Sequence, residues 1–150
     1  QQILDDRGIR YCGCDPASSA LAMDKVASKC RFVENEIPTP SFDVVTPERL
    51  KKVLEHRSLP VVVKPISEGS SIDCQLVQDR EQLKTILDRM LDRYGRCLIE
   101  EYINGLELTI GILGDETLPP IQIRASGESD QGQRNTQNQY NVFHVAWVFK

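Results

Sequence analysis

A valine-rich segment that ends in a lysine and leads into a small-residue loop most restricts how this chain can fold. Residues 61–64 read Val-Val-Val-Lys, and a loop with Gly69, Ser70 and Ser71 follows Pro65. Consecutive β-branched residues predict a buried strand, so the lysine at its end would be held rigidly. Glycine and serine let backbone N–H groups approach an anion closely. The segment therefore predicts a phosphate-binding loop at the end of a strand.

The composition restricts the class of protein. With 150 residues, 40% hydrophobic and 27% charged, the chain fits a soluble globular protein with one core or two small subdomains. The net charge of -4 argues against a general nucleic-acid surface. Without a signal-peptide pattern or an apolar run near the roughly 20 residues that span a bilayer, we expect a cytoplasmic protein that contacts no membrane. Five scattered cysteines favour reduced thiols over a disulfide framework.

The order of helix and strand patterns favours an α+β fold. The predicted elements are a helix over 16–35, a strand over 41–45, a short helix after Pro47, strands over 61–64 and 72–77, a helix after Asp79, and strands over 97–103, 106–113 and 118–123. The two strands that flank the loop should pair antiparallel, and the last two should form a meander. This order indicates α+β subdomains with antiparallel sheets and not a parallel Rossmann sheet.

The end of the chain differs in composition from the rest. Residues 126–141 are rich in Gly, Ser, Gln, Asn and Asp, which predicts a loop or disorder. Residues 142–149 are apolar and predict a strand without an identifiable pairing partner. His144 and Trp147 in that strand are interpreted as apolar packing residues and not as a site.

Five charged side chains have patterns that suit nucleotide binding. Lys25 on a helix and Lys64 at a strand end could each neutralise phosphate oxygens; the alternative for Lys25 is a solvated surface lysine. One of Glu100 and Glu101 must face inward if the strand alternates. An inward carboxylate needs a donor, such as the amino group of adenine, and the alternative is an ordinary strand-edge acid. Glu107 could accept from ribose hydroxyls or simply face solvent.

A set of motifs in these same segments resembles one enzyme family. The motifs are Tyr11-Cys12-Gly13, Ala17-Ser18-Ser19-Ala20-Leu21-Ala22-Met23-Asp24-Lys25, Ile37-Pro38-Thr39-Pro40, Val63-Lys64-Pro65, Glu68-Gly69-Ser70-Ser71, Leu98-Ile99-Glu100-Glu101 and Ile110-Gly111-Ile112-Leu113-Gly114. In order and approximate spacing they resemble the D-alanine-D-alanine ligase family over residues 1–128. The resemblance implies an ATP-grasp fold, in which two small α+β subdomains clasp a nucleotide.

The resemblance also implies a division of the chain. It assigns 1–15 to the end of an N-terminal substrate domain, 16–58 to a helix and connecting strand, 59–103 to the small ATP-grasp subdomain with the phosphate lid, 104–128 to the start of the C-terminal subdomain, and 129–150 to a divergent tail.

The implied activity is an ATP-dependent ligation of two D-alanines through an acyl phosphate, for peptidoglycan synthesis. The residues expected to contact ATP are Lys25, Lys64, Glu68, Ser70, Ser71, Glu100, Glu101, Tyr102, Ile103 and Glu107. The two lysines would hold phosphates, Glu100 with backbone groups of 101–103 would bind adenine, and Glu107 would hold the ribose. Ser70 and Ser71 would also be catalytic, in a lid that closes over the phosphates and excludes water.

Other parts of the family pattern fall outside this sequence. The family has a further N-terminal domain, acidic and asparagine ligands for magnesium, and an arginine that stabilises the intermediate. The similarity also breaks after Glu128. We therefore expect a fragment that is inactive alone, with Mg²⁺ ligands outside the chain and a possible homodimer in the full-length protein. The alternatives are a non-catalytic nucleotide-binding module or a structural remnant. The second substrate could be D-alanine, D-lactate or D-serine.

Overall fold

The computed structural model describes residues 1–114 and 116–123 together with the backbone of the strand 144–149. Its elements are α1 Gln2–Asp6, α2 Pro16–Met23, α3 Lys25–Glu34, β1 Phe42–Val45, α4 Leu50–His56, β2 Val61–Lys64, β3 Gln75–Val77, α5 Arg80–Tyr94, β4 Cys97–Glu101, β5 Leu108–Leu113, β6 Glu116–Thr117, β7 Ile121–Gln122 and β8 His144–Phe149. The chain divides into two units. One comprises Ala22–Ile103, and the other comprises Gln1–Leu21 with Asn104–Lys150.

The unit of residues 22–103 is built on a four-stranded antiparallel sheet in the order β1-β4-β2-β3. Val61 lies opposite Val77, which confirms that the strands flanking the loop form an antiparallel pair. Glu100 lies between Val62 on one side and Phe42 on the other. Directly opposite residues share a face of the sheet, so these three side chains lie on one face.

One face of this sheet is apolar and carries the core. The buried cluster consists of Val45, Val53, Val61, Val63, Val77, Leu83, Leu87, Met90, Cys97 and Ile99. Its strand members alternate along β2 and β4, as the period of two requires, and its helix members come from α4 and α5. The two helices therefore cover one face only.

The helix α5 has the ends that its sequence predicts. The Asp79 side chain accepts a hydrogen bond of 2.8 Å from the Gln82 N–H, and Gly95 ends the helix at a φ of 71°. An aspartate at the N-cap and a glycine in the left-handed region are the usual helix ends. In the part of the chain that the structure describes, no helix is long and apolar enough to cross a membrane.

The single helix predicted over 16–35 is wrong, because the chain breaks it at Asp24. Asp24 has an extended backbone, and its carboxylate accepts hydrogen bonds from the N–H groups of Val26 and Ala27 at 2.9 and 3.0 Å. Such capping satisfies N–H groups that lack an intrahelical partner. The result is two helices, α2 and α3, with Lys25 at the first position of the second.

The strand predicted over 72–77 begins only at Gln75. The preceding residues form turns, in which the N–H of Ile72 donates to the Gly69 carbonyl at 3.0 Å and that of Cys74 donates to the Ser71 carbonyl at 3.1 Å. The loop is therefore longer than the alternation of apolar residues indicated.

The other unit has its own sheet around β5. This strand pairs antiparallel with β6 and β7 and parallel with β8. The return strand predicted over 118–123 is present only as β7, Ile121–Gln122, because Pro119 and Pro120 lack the N–H that a sheet requires, and β6 lies before the predicted range. The strand predicted over 142–149 is confirmed as β8. The expected loop over 126–141 and the interpretation of the His144 and Trp147 side chains lie outside the described residues. The domain assignments remain predictions.

Candidate functional site

Two charged side chains lie on the face of the sheet opposite the core. Lys64 on β2 and Glu100 on β4 are only 7% and 3% exposed. They share this face with Val62 and Leu98, which are opposite them in register. The Lys64 ammonium contacts Oε1 of Glu100 as an ion pair. One carboxylate of the pair at 100–101 therefore faces inward, as predicted, and it is that of Glu100.

A second buried lysine, Lys29 on α3, completes the ion cluster. Its Nζ lies 2.9 Å from Glu100 Oε2, donates to Thr39 Oγ1 at 2.7 Å and donates to the Pro40 carbonyl at 3.1 Å. The same ammonium lies 5.0 Å from the centre of the Phe42 ring. Lys29 is therefore held by four groups from three segments of the chain.

Lys29 was missed by the sequence analysis. The signal that points to it is its spacing, since it follows Lys25 by one helical repeat of four residues. Residues at i and i+4 lie on the same side of a helix. Two lysines so placed repel each other, and a nearby negative charge is needed to offset that repulsion.

Lys25, at the start of α3, binds the entrance of the small-residue loop. Its backbone N–H donates to the Ile66 carbonyl at 3.0 Å, and its Nζ donates to the same carbonyl at 3.4 Å. The ammonium also donates to the carbonyl of Glu68, whose carboxylate belongs to an exposed residue. The loop entrance is thus bound to the first turn of the helix that carries both lysines.

The exit of the loop is bound to α5. Asp73 Oδ2 accepts from the Tyr94 hydroxyl at 2.6 Å and from Arg93 Nη1 at 2.9 Å. Ser70, Ser71 and Asp73 have φ values of 51°, 57° and 52°. For residues other than glycine this left-handed conformation costs on the order of 1 kcal/mol each. Both ends are therefore fixed around a strained, exposed segment that contains the two predicted catalytic serines.

Burial makes it less favourable for the lysines of this site to carry their charge. Desolvation lowers the pKa of Lys25, and the charge of Lys64 lowers it further. Desolvation also lowers the pKa of Lys29, although the charge of Glu100 opposes this. Three ammonium groups lie around the single buried carboxylate of Glu100, so positive charge is in excess in the buried part of the cluster. An uncompensated positive charge that is mostly removed from water favours binding of an anion.

The residues after Glu100 are engaged through their backbones. The N–H of Glu101 donates to the Ser41 carbonyl at 2.9 Å, and the exposed carboxylate of Glu101 accepts from the Ser41 hydroxyl at 3.0 Å. The Tyr102 N–H donates to the Pro60 carbonyl at 3.4 Å. Ile103 is 39% exposed. Two N–H groups of the predicted adenine segment therefore already have partners.

Glu107 lies in the other unit. Its side chain is half-buried, and its carbonyl accepts a hydrogen bond of 2.9 Å from the Ile123 N–H. The structure thus brings together Lys25, Lys64, Glu100 and the loop with Glu68, Ser70 and Ser71, whereas Glu107 is described only within its own sheet.

The fold defines the class of protein. One antiparallel α+β unit contains a strand that ends in a lysine and leads into a small-residue loop, and the second unit is built on another sheet. This is an ATP-grasp-like fold, and the predicted fold class is confirmed. The chain belongs to the D-alanine-D-alanine ligase family, since residues 33–143 match the model described as the D-ala D-ala ligase C-terminus. The predicted family is confirmed as well.

Individual relatives agree with this assignment. The D-alanine-D-alanine ligase of Mannheimia succiniciproducens is 36% identical over 133 residues, which cover 85% of this chain and 43% of that protein. The crystal structure of a D-alanine-D-alanine ligase from Bacillus anthracis matches with a TM-score of 0.71 and 35% identity, over 83% of this chain and 41% of that one. A structure of the Bacillus anthracis ligase complexed with ATP matches with a TM-score of 0.70 and 33% identity, over 85% and 43%. The chain therefore spans less than half the length of these relatives.

Proposed function

We propose that residues 22–103 bind the polyphosphate of ATP as part of a ligase that joins two D-alanine molecules. The observation that carries this proposal is the cluster of Lys25, Lys29, Lys64 and Glu100, in which three lysines share one buried carboxylate. Burying like charges together is unfavourable unless an anion neutralises them. A nucleotide polyphosphate has the charge and the oxygen acceptors that such a site requires.

Lys64 and Lys25 are the proposed phosphate ligands. Lys64 ends a rigid buried strand, and Lys25 begins a helix whose first turn is tied to the loop. A lysine ammonium is a compact point charge that suits a phosphate oxygen. Backbone N–H groups near Ser70 and Ser71 would add donors once the loop closes over the phosphates.

Glu100 is the proposed acceptor for the adenine amino group. Among the described residues, its buried Oε2 receives no hydrogen bond of acceptable angle, although Lys29 Nζ lies 2.9 Å away. A carboxylate oxygen has two lone pairs, so Oε2 can accept from the amino group of a ligand while it stays paired with Lys29. Backbone groups of 101–103 would complete the base site. Glu107 keeps its role at the ribose as a proposal that rests on the family resemblance.

The proposed reaction uses the site for positioning and charge neutralisation, which phosphoryl transfer chiefly needs. A D-alanine carboxylate oxygen attacks the γ-phosphorus, the bond to the β,γ-bridging oxygen breaks, and ADP leaves. The amine of a second D-alanine then attacks the acyl carbon of the resulting acyl phosphate and releases phosphate and a proton. In these steps Lys25 and Lys64 hold phosphate oxygens, and the loop with Ser70 and Ser71 excludes water from the acyl phosphate.

The described residues do not fit a magnesium site of their own. Within 1–114 and 116–123, no three His, Cys, Asp or Glu side chains form a group that could hold a metal ion. The family resemblance places the Mg²⁺ ligands elsewhere in the ligase, so no step here is assigned to a metal ligand of this chain.

Calorimetric titration of the purified chain with ATP and magnesium tests the nucleotide site. We expect Lys64→Met to weaken ATP binding by about 10-fold to 100-fold, because a charge-assisted contact is worth roughly 1.5–3 kcal/mol. Methionine keeps the aliphatic volume of the side chain and removes only its charge. Lys52→Met, on the exposed surface of α4, is the matched control and should bind normally.

The outcomes separate the possible functions. No saturable binding of ATP would reject the nucleotide site altogether. Binding without D-alanine-dependent phosphate release would support a nucleotide-binding module and not a complete ligase. Normal ATP binding by Lys64→Met would refute the phosphate assignment.

A further inference from the structure

We propose that Lys29 is a positioning residue that acts as the permanent counter-ion of Glu100, and thereby leaves Lys64 free to bind phosphate. This inference rests on the proposed polyphosphate site and adds a role for a residue outside the predicted set. It follows from a difference between the two lysines that share one carboxylate.

The two lysines are held very differently. Lys29 Nζ donates to Thr39 Oγ1 at 2.7 Å and to the Pro40 carbonyl at 3.1 Å, and it faces the Phe42 ring. None of these contacts involves Glu100, so the Lys29 ammonium stays in place whatever the carboxylate does. Among the described residues, Lys64 has only Glu100 as an ion-pair partner.

This asymmetry determines which lysine can exchange its partner. Glu100 presents Oε1 to Lys64 and Oε2 to Lys29. If Lys64 turns to a phosphate oxygen, Glu100 still has a cation 2.9 Å from its other oxygen. Without Lys29, the same movement would leave a buried carboxylate without a counter-ion, which is strongly unfavourable. Glu100 would then retain Lys64 and compete with the phosphate.

Inorganic tripolyphosphate is the probe that isolates this effect, because it carries no base that could contact Glu100. Its affinity should be measured by calorimetry for the full chain, for Lys29→Met, for Glu100→Gln and for the double variant. Each measurement is made at a temperature at which thermal unfolding shows the variant to be folded. Lys84→Met, a 66%-exposed lysine on α5, is the matched control.

We expect Lys29→Met to bind tripolyphosphate at least tenfold more weakly, and the control to bind normally. Adding Glu100→Gln to Lys29→Met should restore the affinity to within about threefold of the original chain, because a neutral amide no longer retains Lys64. Glu100→Gln alone should bind at least as tightly as the original chain, and this variant tests the inference even if Lys29→Met fails to fold. A purely structural role for Lys29 gives no reason for Glu100→Gln to restore binding.

Several results would overturn the inference. Unchanged tripolyphosphate affinity in Lys29→Met would do so, as would a double variant that binds as weakly as Lys29→Met. Weaker binding by Glu100→Gln alone would do so too. A failure of the original chain to bind both ATP and tripolyphosphate would instead reject the proposed polyphosphate site, and this inference with it.

Discussion

The two faces of the four-stranded sheet in residues 22–103 use the same strands for opposite purposes. On one face, Val61 and Ile99 lie in a core covered by α4 and α5. On the other face, Lys64 and Glu100 form an ion pair, and α3 adds Lys29. Neighbouring residues of one strand therefore differ completely in their surroundings, because successive side chains point to opposite faces.

The difference shows where stability and binding are located. Apolar burial stabilises the fold by roughly 25 cal/mol per Å². Burying the ammonium groups of Lys29 and Lys64 with the carboxylate of Glu100 costs free energy, since their mutual attraction offsets the desolvation of the charges only in part. The sheet thus draws its stability from the α4 and α5 side, and it carries on the α3 side a charged cluster that stability alone does not explain.

The largest expected effect comes from the apolar face. Leu87→Ala removes a fully buried side chain from the centre of α5, which should lower the free energy of unfolding by about 2–5 kcal/mol. Urea denaturation followed by circular dichroism measures this change. Since Leu87 is remote from the lysines in the packing, the folded variant should bind tripolyphosphate normally.

Lys84→Ala provides the comparison on the same helix. Lys84 is exposed and pairs with Asp88 at 2.6 Å across one helical turn. Such surface pairs contribute at most about 1 kcal/mol. A loss for Leu87→Ala no greater than that for Lys84→Ala would contradict the assignment of the core to this face.

The second prediction concerns a variant in which the charged face of the sheet is made apolar. The triple variant Lys29→Met, Lys64→Met and Glu100→Leu removes the three buried charged side chains and keeps the half-buried Lys25. Replacing a buried ion cluster by apolar residues of similar volume is often neutral or stabilising by about 1–4 kcal/mol. Thr39 and Pro40 lose the Lys29 ammonium but are only half-buried, so water can replace it.

Two measurements on the triple variant together test the comparison. The free energy of unfolding should be unchanged or higher, and tripolyphosphate binding should be lost. If the variant instead unfolds much more easily than the original chain, the charged face would be needed for the fold and the separation of the two roles would be wrong.

Much of this arrangement could be predicted from the sequence, because strand alternation is a local pattern. The run 61–64 identified a buried strand with Lys64 at its end, and strand alternation indicated that one of Glu100 and Glu101 faces inward. Asp79 and Gln82 marked the start of α5 by an equally local signal. Each of these predictions depends on residues close together in the chain.

The parts that could not be predicted depend on distant residues or on competing local signals. Lys29 is defined by Thr39, Phe42 and Glu100, which lie 10, 13 and 71 positions further along the chain. Helical patterns on both sides of Asp24 concealed its role as a cap, because aspartate is tolerated inside helices. The turn that replaces the start of the strand at 72–77 places Asp73 against Tyr94, a partner 21 positions away.

The smallest expected effect is on the pH dependence of stability, and it compares two buried thiols, Cys97 in the apolar core and Cys74 near the charged cluster. Burial raises the pKa of Cys97, in the apolar core, to about 12 from an ordinary value of 9.0. Burial also raises the pKa of Cys74, to about 11, and there the charges of Lys64 and Lys25 oppose the desolvation while that of Glu100 adds to it. The charged cluster therefore acts on the Cys74 thiol, whereas desolvation alone raises the pKa of Cys97.

These raised pKa values predict a loss of stability at high pH. Well below pH 9.0 both thiols are protonated in the folded and unfolded states, so they contribute no pH dependence there. As the pH rises through 9.0 the unfolded chain releases these protons first, and each thiol should lower the free energy of unfolding by up to about 1.4 kcal/mol per pH unit. The lowered pKa values of Lys25 and Lys29 act in the opposite direction, but they are common to the original chain and the two cysteine variants.

Urea denaturation between pH 8 and pH 11 of Cys97→Ala and Cys74→Ala measures the two contributions. Each variant should lose stability less steeply than the original chain above about pH 9, because one titrating thiol is absent. Any small cavity left by alanine shifts the whole curve and leaves its slope unchanged. Each cysteine substitution is then repeated in the Lys64→Met background, so that the altered titration of Lys25 and Lys29 is common to the proteins compared. In that background the contribution of Cys74 near pH 11 should be steeper, and that of Cys97 should be as it was. An equal change at both cysteines would show that the charge of Lys64 does not distinguish the two faces.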